Sequence, residues 1–165
     1  MNVDIEQMSA SDEHEVRRIY LEGIATGNAT FETEAPMWDL WTESHLLHSR
    51  LVARSNGEVI GWAALSPVSG RCVYGGIAEV SVYVGEKSRG RGIGKALLNA
   101  LIESSEANGI WTLQAGIFRE NEASVTLHLK HGFREIGYRE RVAKHHGIWR
   151  DTVLLERRST IVGME

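Results

Sequence analysis

The segment Arg89–Gly94 contains residue types that bind phosphate groups. It holds three glycines and two arginines and lies between a strand-like run, 78–84, and a helical pattern that ends at Gly109. A glycine-rich turn before a helix leaves backbone N–H groups free, and the helix dipole places partial positive charge beside them. Arg89 and Arg91 add fixed positive charge. The segment predicts a phosphate-binding turn, and the alternative is a tight turn without a ligand.

Two well-known glycine motifs do not fit this turn. Ala96 stands where a P-loop requires Ser or Thr, and Arg89 stands where its first glycine belongs. Gly90, Gly92 and Gly94 are spaced one residue short of the dinucleotide-binding pattern Gly-x-Gly-x-x-Gly. Hydrolysis of a nucleoside triphosphate and dinucleotide binding are therefore disfavoured. The pattern that remains is Arg-x-x-Gly-x-Gly.

Two further places along the chain carry residues suited to proton transfer. Glu79 stands between apolar residues at the start of a strand, where a carboxylate can act as a general base or simply lie exposed. Asn121 is a favoured first residue of a helix, and His128 lies two turns later on the face shared with Ser124. Since imidazole titrates near neutral pH, His128 could act as an acid; the alternative is a partly buried histidine bonded to a neighbour.

The elements that must position these residues follow from hydrophobic periodicity. The predicted order is β-α-α-β-β-β-α-β-α-β-β, a mixed sheet flanked by helices. The predicted strands are 2–8, 51–55, 58–65, 78–84, 111–117, 133–142 and 149–157, and the predicted helices are 9–26, 37–48, 93–108 and 119–131. Asn56-Gly57 indicates a hairpin turn. We expect Leu40, Trp41 and Leu47 to face inward from the second helix, and residues 143–147 to form a loop.

Composition sets broad limits on function. With 165 residues, a formal charge of −4 and a pI of about 6.0, the chain shows no general preference for nucleic acid or anionic membranes. We expect one domain over 1–158 and a flexible tail over 159–165. Cys72 is the only cysteine, and no signal-like or membrane-spanning run is present, which favours the cytoplasm. His145 and His146 lack a third ligand at suitable spacing, so no metal is expected.

Five segments together resemble the phosphinothricin N-acetyltransferases of the GNAT superfamily, a group that includes enzymes for methionine sulfoximine and methionine sulfone. The segments are 77–84, 89–94, 121–128, 131–133 and 147–151. The resemblance implies the α/β GNAT fold, a central mixed sheet with flanking helices. It also implies acetyl-CoA as co-substrate, no metal, a small amino-acid-like acceptor and a homodimer, for which Trp38, Trp41 and Trp149 could provide exposed aromatic surface.

The resemblance also implies roles for individual residues. Glu79 would be the general base, and His128, where many GNAT enzymes have tyrosine, would protonate the leaving thiolate. The N–H of Val82 would stabilise the acetyl oxygen. The residues implied to bind the cofactor are Val82, Tyr83, Val84, Arg89, Gly90, Arg91, Gly92, Ile93, Gly94, Lys95, Asn121 and Ser124. The residues implied to bind the acceptor are Phe31, Arg71 and Glu79.

On the acceptor side the chain departs from the group. Arg71 could hold a carboxylate in a bidentate fork, or could be a solvated loop arginine. Where relatives have lysine two residues before Gly147, this chain has His145, and Lys144 lies one residue earlier. The role of that lysine is therefore not transferred to this sequence.

The predicted reaction is direct acetyl transfer to an α-amine in a ternary complex. Cys72 lies outside every matched segment, so no acetyl-cysteine intermediate is expected. One alternative is acetylation of another amine, such as a protein N-terminus, a polyamine or an antibiotic. Another is a non-catalytic module that senses acyl-CoA. The presence of both Glu79 and His128 favours catalysis.

Overall fold

The computed structural model describes residues 2–165 and confirms a mixed α/β fold. The strands are β1 (Asp4–Gln7), β2 (Leu51–Ser55), β3 (Glu58–Pro67), β4 (Ile77–Val84), β5 (Thr112–Phe118), β6 (Arg134–His145) and β7 (Ile148–Arg158). The α-helices are α1 (Glu13–Ala25), α2 (Trp38–Ser44), α3 (Ile93–Ala107) and α4 (Glu122–Leu129). None of the helices formed by this part of the chain is long and apolar enough to cross a bilayer.

The strands form one sheet in the order β1-β2-β3-β4-β5-β7-β6. Neighbouring strands are antiparallel except β4 and β5, which are parallel and are connected through α3. β4 pairs with β3 from Ala78 to Val84 but with β5 only over Ile77–Glu79. Beyond Glu79 the two central strands separate, and a wedge opens in the middle of the sheet.

Each face of the sheet packs against its own helices. Leu97, Leu98 and Leu101 of α3 belong to the larger apolar cluster, and Val80, Val82 and Val84 pack against it. The smaller cluster lies on the opposite face and combines α1 and α2 with Trp62, and Tyr83 packs against it. Because side chains alternate along a strand, Glu79 and Ser81 share the face of Tyr83.

Helix α2 is shorter than predicted, because an arginine ends it. The chain becomes extended at His45, with φ −114° and ψ 152°. The guanidinium of Arg50 donates hydrogen bonds to the carbonyl oxygens of Thr42 (2.7 Å), His45 (3.0 Å) and Leu46 (2.7 Å). Carbonyl groups at the end of a helix need such partners, so this arginine satisfies them and turns the chain towards β2.

Of the three residues predicted to face inward from this segment, the predictions for Leu40 and Leu47 were wrong. Leu47 is 89% exposed because it lies beyond the end of the helix, and Leu40 is 58% exposed on the outer side of the helix. Trp41 is buried at 4% exposure, as predicted, so it is not available as the exposed aromatic surface proposed for a dimer. Trp38 is half-buried and stacks on Trp41 with ring centroids 5.1 Å apart, whereas Trp149 is 48% exposed.

The loop predicted over residues 143–147 is instead part of a hairpin. Strand β6 continues to His145, and the turn consists of His146 and Gly147 with φ of 51° and 78°. Two central residues with positive φ match the strand twist of a two-residue hairpin. Asn56 and Gly57, with φ of 51° and 80°, form the turn that their sequence predicted. The β6–β7 turn was missed because histidine is an uncommon first residue there.

The end of the chain makes several hydrogen bonds with the fold. The Ser159 N–H donates to the Trp111 carbonyl oxygen (2.7 Å), and the Ser159 hydroxyl donates to Glu106 (2.9 Å). The Arg158 guanidinium donates to the carbonyl oxygen of Val162 (2.8 Å). The flexibility of residues 159–165 and the domain boundary at 158 stay predictions.

Replacing Gly76 by alanine should destabilise the protein by about 1–3 kcal/mol, the usual cost of overpacking. The Gly76 carbonyl oxygen accepts the N–H groups of Trp111 (2.9 Å) and Thr112 (3.1 Å), which fixes the start of β5 beside β4. A Cβ at Gly76 would lie 2.1 Å from Cε3 of Trp111, so the indole or the strand must move. Urea unfolding measures the effect. Gly70→Ala is the matched control, because its Cβ would meet open space; equal unfolding free energies for both variants would contradict the prediction.

Candidate active site

A cavity of about 530 Å³ occupies the wedge between β4 and β5. Its walls come from the loop after α1, from β4, β5, α4, β6 and β7. The residues that the resemblance implied and that line it are Phe31, Glu79, Val82, Tyr83, Asn121, Ser124 and His128. Ligand pockets typically enclose about 300–1,000 Å³, so the cavity is large enough for a small molecule.

The backbone of β4 presents polar groups to this wedge. Just before β4, the Gly76 carbonyl oxygen accepts the N–H groups of Trp111 and Thr112 on the β5 side; just after β4, the Gly85 N–H donates to the Ile60 carbonyl oxygen on the β3 side. Since backbone groups alternate in direction along a strand, those of even-numbered residues point towards β5. Ladder pairing with β5 ends at Glu79. The N–H of Val82 therefore faces the opening and can donate a hydrogen bond to an oxygen placed there.

The turn between β4 and α3 has the geometry of an anion site. Gly92 is the residue before α3 and has φ 81°, and Gly90 has φ 75°, both in the left-handed region. Open space surrounds both glycines. The Gly92 carbonyl oxygen accepts the first helical hydrogen bond, from the N–H of Ala96 (3.1 Å). The N–H groups of residues 93–95 precede that bond and point out of the helix, beside the exposed Arg91.

Arg89 connects the same turn to the end of β4 and to α1. Its guanidinium donates weak hydrogen bonds to the carbonyl oxygens of Val84 (3.3 Å) and Glu22 (3.4 Å). The side chain therefore spans the end of β4 and α1. Gly94 faces Leu127 of α4, since its Cβ would lie 3.4 Å from Cδ2 of that leucine. These contacts set the separation of the turn from its neighbours.

Glu79 lies at the point where the central strands part. Its side chain is half-buried and lines the cavity. A Cβ on Gly116 of β5 would lie 3.7 Å from Oε1 of Glu79, so the carboxylate sits above that glycine. Because Gly116 has no side chain, the space beside the carboxylate stays open. Its position allows Glu79 to accept a proton from a group that enters the wedge.

His128 is buried at 4% exposure, and one hydrogen bond determines which ring nitrogen carries the hydrogen. Nδ1 lies 2.7 Å from the Ser124 carbonyl oxygen. A carbonyl oxygen only accepts, so Nδ1 carries the hydrogen. Burial lowers the pKa of His128 below its ordinary value of 6.5, although the Ser124 hydrogen bond acts in the opposite direction. At neutral pH the ring is therefore neutral, with the lone pair on Nε2, and donation of a proton from Nε2 requires the disfavoured imidazolium.

The two tyrosines considered beside His128 lie in different environments. Tyr83 lines the cavity and packs against the rings of Trp62 (4.8 Å between centroids) and Tyr20 (5.1 Å). Burial raises the pKa of Tyr83 far above its ordinary value of 10.0, so its phenol keeps its proton. Tyr138 is exposed, and its hydroxyl donates to Asp151 instead.

Arg150 fixes the loop that follows α1, and sequence reasoning missed it. Its guanidinium donates to the Gly27 carbonyl oxygen (2.9 Å) and to Oδ1 of Asn28 (2.7 Å). It also lies 4.0 Å from the ring centroid of Phe118. The Asn121 side chain donates to the Asn28 carbonyl oxygen (3.1 Å), so the loop is held from both β7 and α4. No sequence pattern links residues 122 positions apart.

His145, which occupies the position where relatives have lysine, lies next to the cavity residue Phe31. The ring is 5% exposed and meets Phe31 edge-on, with centroids 6.1 Å apart. Nη1 of Arg150 lies 3.4 Å from Nδ1, and since a guanidinium only donates, the hydrogen of a neutral ring sits on Nε2. Lys144 points elsewhere, with its ammonium 5.1 Å from the Trp149 ring centroid.

Two arginines lie differently, relative to the cavity, from what the sequence led us to expect. Arg71 is exposed, lies over the ring of Tyr74 at 5.4 Å and does not line the cavity. Arg139 of β6, which the sequence did not single out, does line it. In the described part of the chain, no group of three His, Cys, Asp or Glu side chains is placed to hold a metal ion.

Comparison with known proteins gives a consistent result. A profile described as the acetyltransferase (GNAT) family matches residues 13–133. The chain is 31% identical to the phosphinothricin N-acetyltransferase of Streptomyces viridochromogenes, over 94% of this chain and 87% of that protein. It is 38% identical to an L-methionine sulfoximine/L-methionine sulfone acetyltransferase of Pseudomonas aeruginosa, over 61% of this chain and 58% of that protein.

Structural comparison extends this similarity to the whole chain. The fold superposes with a TM-score of 0.92 on the crystal structure of a GNAT superfamily phosphinothricin acetyltransferase from Sinorhizobium meliloti in complex with AcCoA. The two sequences are 30% identical, and the alignment covers 100% of this chain and 92% of the other.

Replacing Arg150 by glutamine should loosen the loop after α1. The loss leaves the carbonyl oxygen of Gly27 and the side chain of Asn28 without their donor, at a cost of about 1–3 kcal/mol. Hydrogen–deuterium exchange of the peptide covering residues 26–33 should therefore accelerate about 10-fold or more. Arg134→Gln is the control, because its ion pair with Glu156 lies at the surface with the arginine side chain 71% exposed. Unchanged exchange in Arg150→Gln would show that the loop is held by other contacts.

Proposed function

The chain belongs to the acetyltransferase (GNAT) family, and from this premise we propose that it acetylates the α-amine of a small amino-acid-like substrate. Acetyl-CoA is the acyl donor of the reaction. The observation that carries the proposal is the wedge beside β4, because it places a carboxylate and a backbone donor in one cavity next to an anion-binding turn. The acceptor class is that of the relatives: phosphinothricin, methionine sulfoximine or methionine sulfone.

The residues around the wedge suit coenzyme A. We assign its phosphates to the N-terminus of α3, where Arg89, Arg91 and the N–H groups of residues 90–95 supply positive charge and donors. Its extended arm fits the opening where β4 has left β5, against backbone groups from Val82 to Val84. When bound, the thioester supplies an activated acetyl group. The N–H of Val82 would donate a hydrogen bond to the acetyl oxygen.

Proton transfer is assigned to Glu79 and His128. An ammonium group is not nucleophilic, so Glu79 would take its proton, directly or through a water molecule. The amine then reacts directly in a ternary complex. Nε2 of His128 would protonate the departing thiolate of CoA after that nitrogen has taken up a proton, since the Nδ1 hydrogen stays bonded to the Ser124 carbonyl oxygen. Cys72 is exposed and is not among the residues that line the cavity, so an acetyl-cysteine step forms no part of the proposal.

The charges in the cavity support a small zwitterionic acceptor. Glu32 and Glu79 both line it and favour an ammonium group, whereas Arg139 favours an anion. Phe31 meets Phe118 edge-on at 4.5 Å between centroids and gives the acceptor an apolar wall. A homodimer and a cytoplasmic location complete the proposal.

A thiol-release assay with acetyl-CoA tests the proposed acceptor class. The panel contains methionine sulfoximine, phosphinothricin, methionine sulfone, spermidine, an aminoglycoside and an N-terminal peptide. We expect kcat/KM above about 10⁴ M⁻¹s⁻¹ on at least one of the three zwitterions. Activity confined to amines without a carboxylate would retain the acetyltransferase and overturn the acceptor class. Tight acetyl-CoA binding without any turnover would instead favour the non-catalytic sensing module.

Glu79→Gln should lower kcat about 10²- to 10⁴-fold, because the amide cannot accept the ammonium proton. The pH dependence of kcat should change with it, while the acetyl-CoA affinity measured by calorimetry should not. Glu58→Gln is the matched control, since Glu58 is exposed at the β2–β3 turn. An unchanged kcat at every pH would remove Glu79 from the reaction.

A further inference from the structure

The cavity is lined by an exposed arginine, Arg139, for which the described chain supplies no partner. Within residues 2–165 the side chain of Arg139 makes no hydrogen bond and no ion pair, although it lines the cavity. The neighbouring Arg150 is bound to Asn28 and Glu120, and Arg119 contacts the hydroxyl of Tyr138. Arg139 is therefore the cation in this wall that remains available to a ligand.

Strand pairing places Arg139 on the same face of the sheet as the proposed base. Thr152 of β7 is opposite both Phe118 of β5 and Arg139 of β6, so these three residues form a row across the sheet. Opposite residues of paired strands share a face, and Phe118 and Thr152 both line the cavity. Gly116, above which Glu79 lies, is two residues before Phe118 and therefore also on this face.

The separation along this row suits a small acceptor. Adjacent strands lie about 4.8 Å apart, so β6 is about 10 Å from β5 across the sheet. An extended arginine side chain is shorter than that distance, and the row of Arg139 at Phe118 lies two residues, about 7 Å, along β5 from Gly116. The guanidinium can thus approach the space beside Glu79 from the opposite side, with room left for one small molecule between the two charges.

A bulge in β6 follows directly after Arg139. Arg139 pairs with Thr152 and Ala143 pairs with Arg150, so three residues of β6 face the single residue Asp151. Arg141, with φ 49°, donates its N–H to Oδ1 of Asp151 (2.7 Å). The other oxygen of that carboxylate accepts from Tyr138. Asp151, the nearest acid on β7, is thus engaged in fixing the bulge and does not pair with Arg139.

We propose that Arg139 binds the carboxylate of the acceptor while Glu79 receives its ammonium group. The proposal rests on the proposed function and names the residue that selects α-amino acids over simple amines. A guanidinium matches a carboxylate through two parallel, charge-assisted hydrogen bonds. Val142 and Ala143 of the same wall contribute little competing polarity. This role replaces the one predicted for Arg71, which lies outside the cavity.

The test compares methionine sulfone with 3-(methylsulfonyl)propylamine, the same molecule without its carboxylate. Arg139→Ala should lower kcat/KM for methionine sulfone about 10- to 100-fold and leave the value for the amine unchanged. Arg139→Lys should recover part of the loss, since lysine keeps the charge but not the fork. Arg134→Ala, on the same strand with its side chain 71% exposed, is the control. Circular dichroism and thermal unfolding verify that each variant is folded.

The other outcomes separate this inference from the proposed function. Wild-type enzyme inactive on every amino acid would overturn both, before any variant is made. An equal loss on both substrates in Arg139→Ala would indicate a structural role and overturn the inference alone. A loss confined to phosphinothricin would assign Arg139 to the phosphinate and not the carboxylate. A full loss of selectivity in Arg71→Ala, with Arg139→Ala unaffected, would return the role to Arg71.

Discussion

The separation of β4 from β5 is the constraint on which the rest of the structure depends. The two strands pair over Ile77–Glu79 alone, while β4 remains paired with β3 along its whole length. An unpaired backbone group that is buried without a partner costs about 1–3 kcal/mol, so a sheet opens at its centre only where something else can satisfy those groups. In this molecule the opening is wide enough for a ligand. The close contact of Gly76 with Trp111 holds the strands together just before they part.

The charges around the opening divide the wedge between two ligands. At the end of β4, the N-terminus of α3 and its arginines form a positive site that matches the phosphates of coenzyme A. On the opposite side, Glu32, Glu79 and Arg139 line the same cavity. A dianionic or polycationic molecule would leave one of these groups unmatched, whereas a zwitterion matches both. The same wedge thereby orients the acyl donor and the acceptor towards each other.

Local sequence patterns predicted the parts of this arrangement that depend on neighbouring residues. The alternation of Val80, Val82 and Val84 predicted the central strand, and Arg89–Gly94 predicted the turn before α3, because both signals lie within a few residues. Arg139 was not predictable, since its place on the cavity face depends on its pairing with Thr152 of another strand. The end of α2 was missed for a similar reason. Arg50 lies outside the helix and donates hydrogen bonds to the carbonyl oxygens at its end.

Asn121 shows why a structural and a functional interpretation of one residue need not compete. Its Oδ1 accepts the N–H of Ser124 (3.3 Å), which caps α4, and its Nδ2 donates to the Asn28 carbonyl oxygen (3.1 Å). The capped helix carries His128, whose Nδ1 bonds to the carbonyl oxygen of the same Ser124. One amide therefore joins the loop of the acceptor wall to the helix of the proposed acid. These hydrogen bonds couple the two sides of the cavity, so the geometry of proton transfer depends on a residue whose sequence position predicted a helix cap and which the resemblance placed against the cofactor.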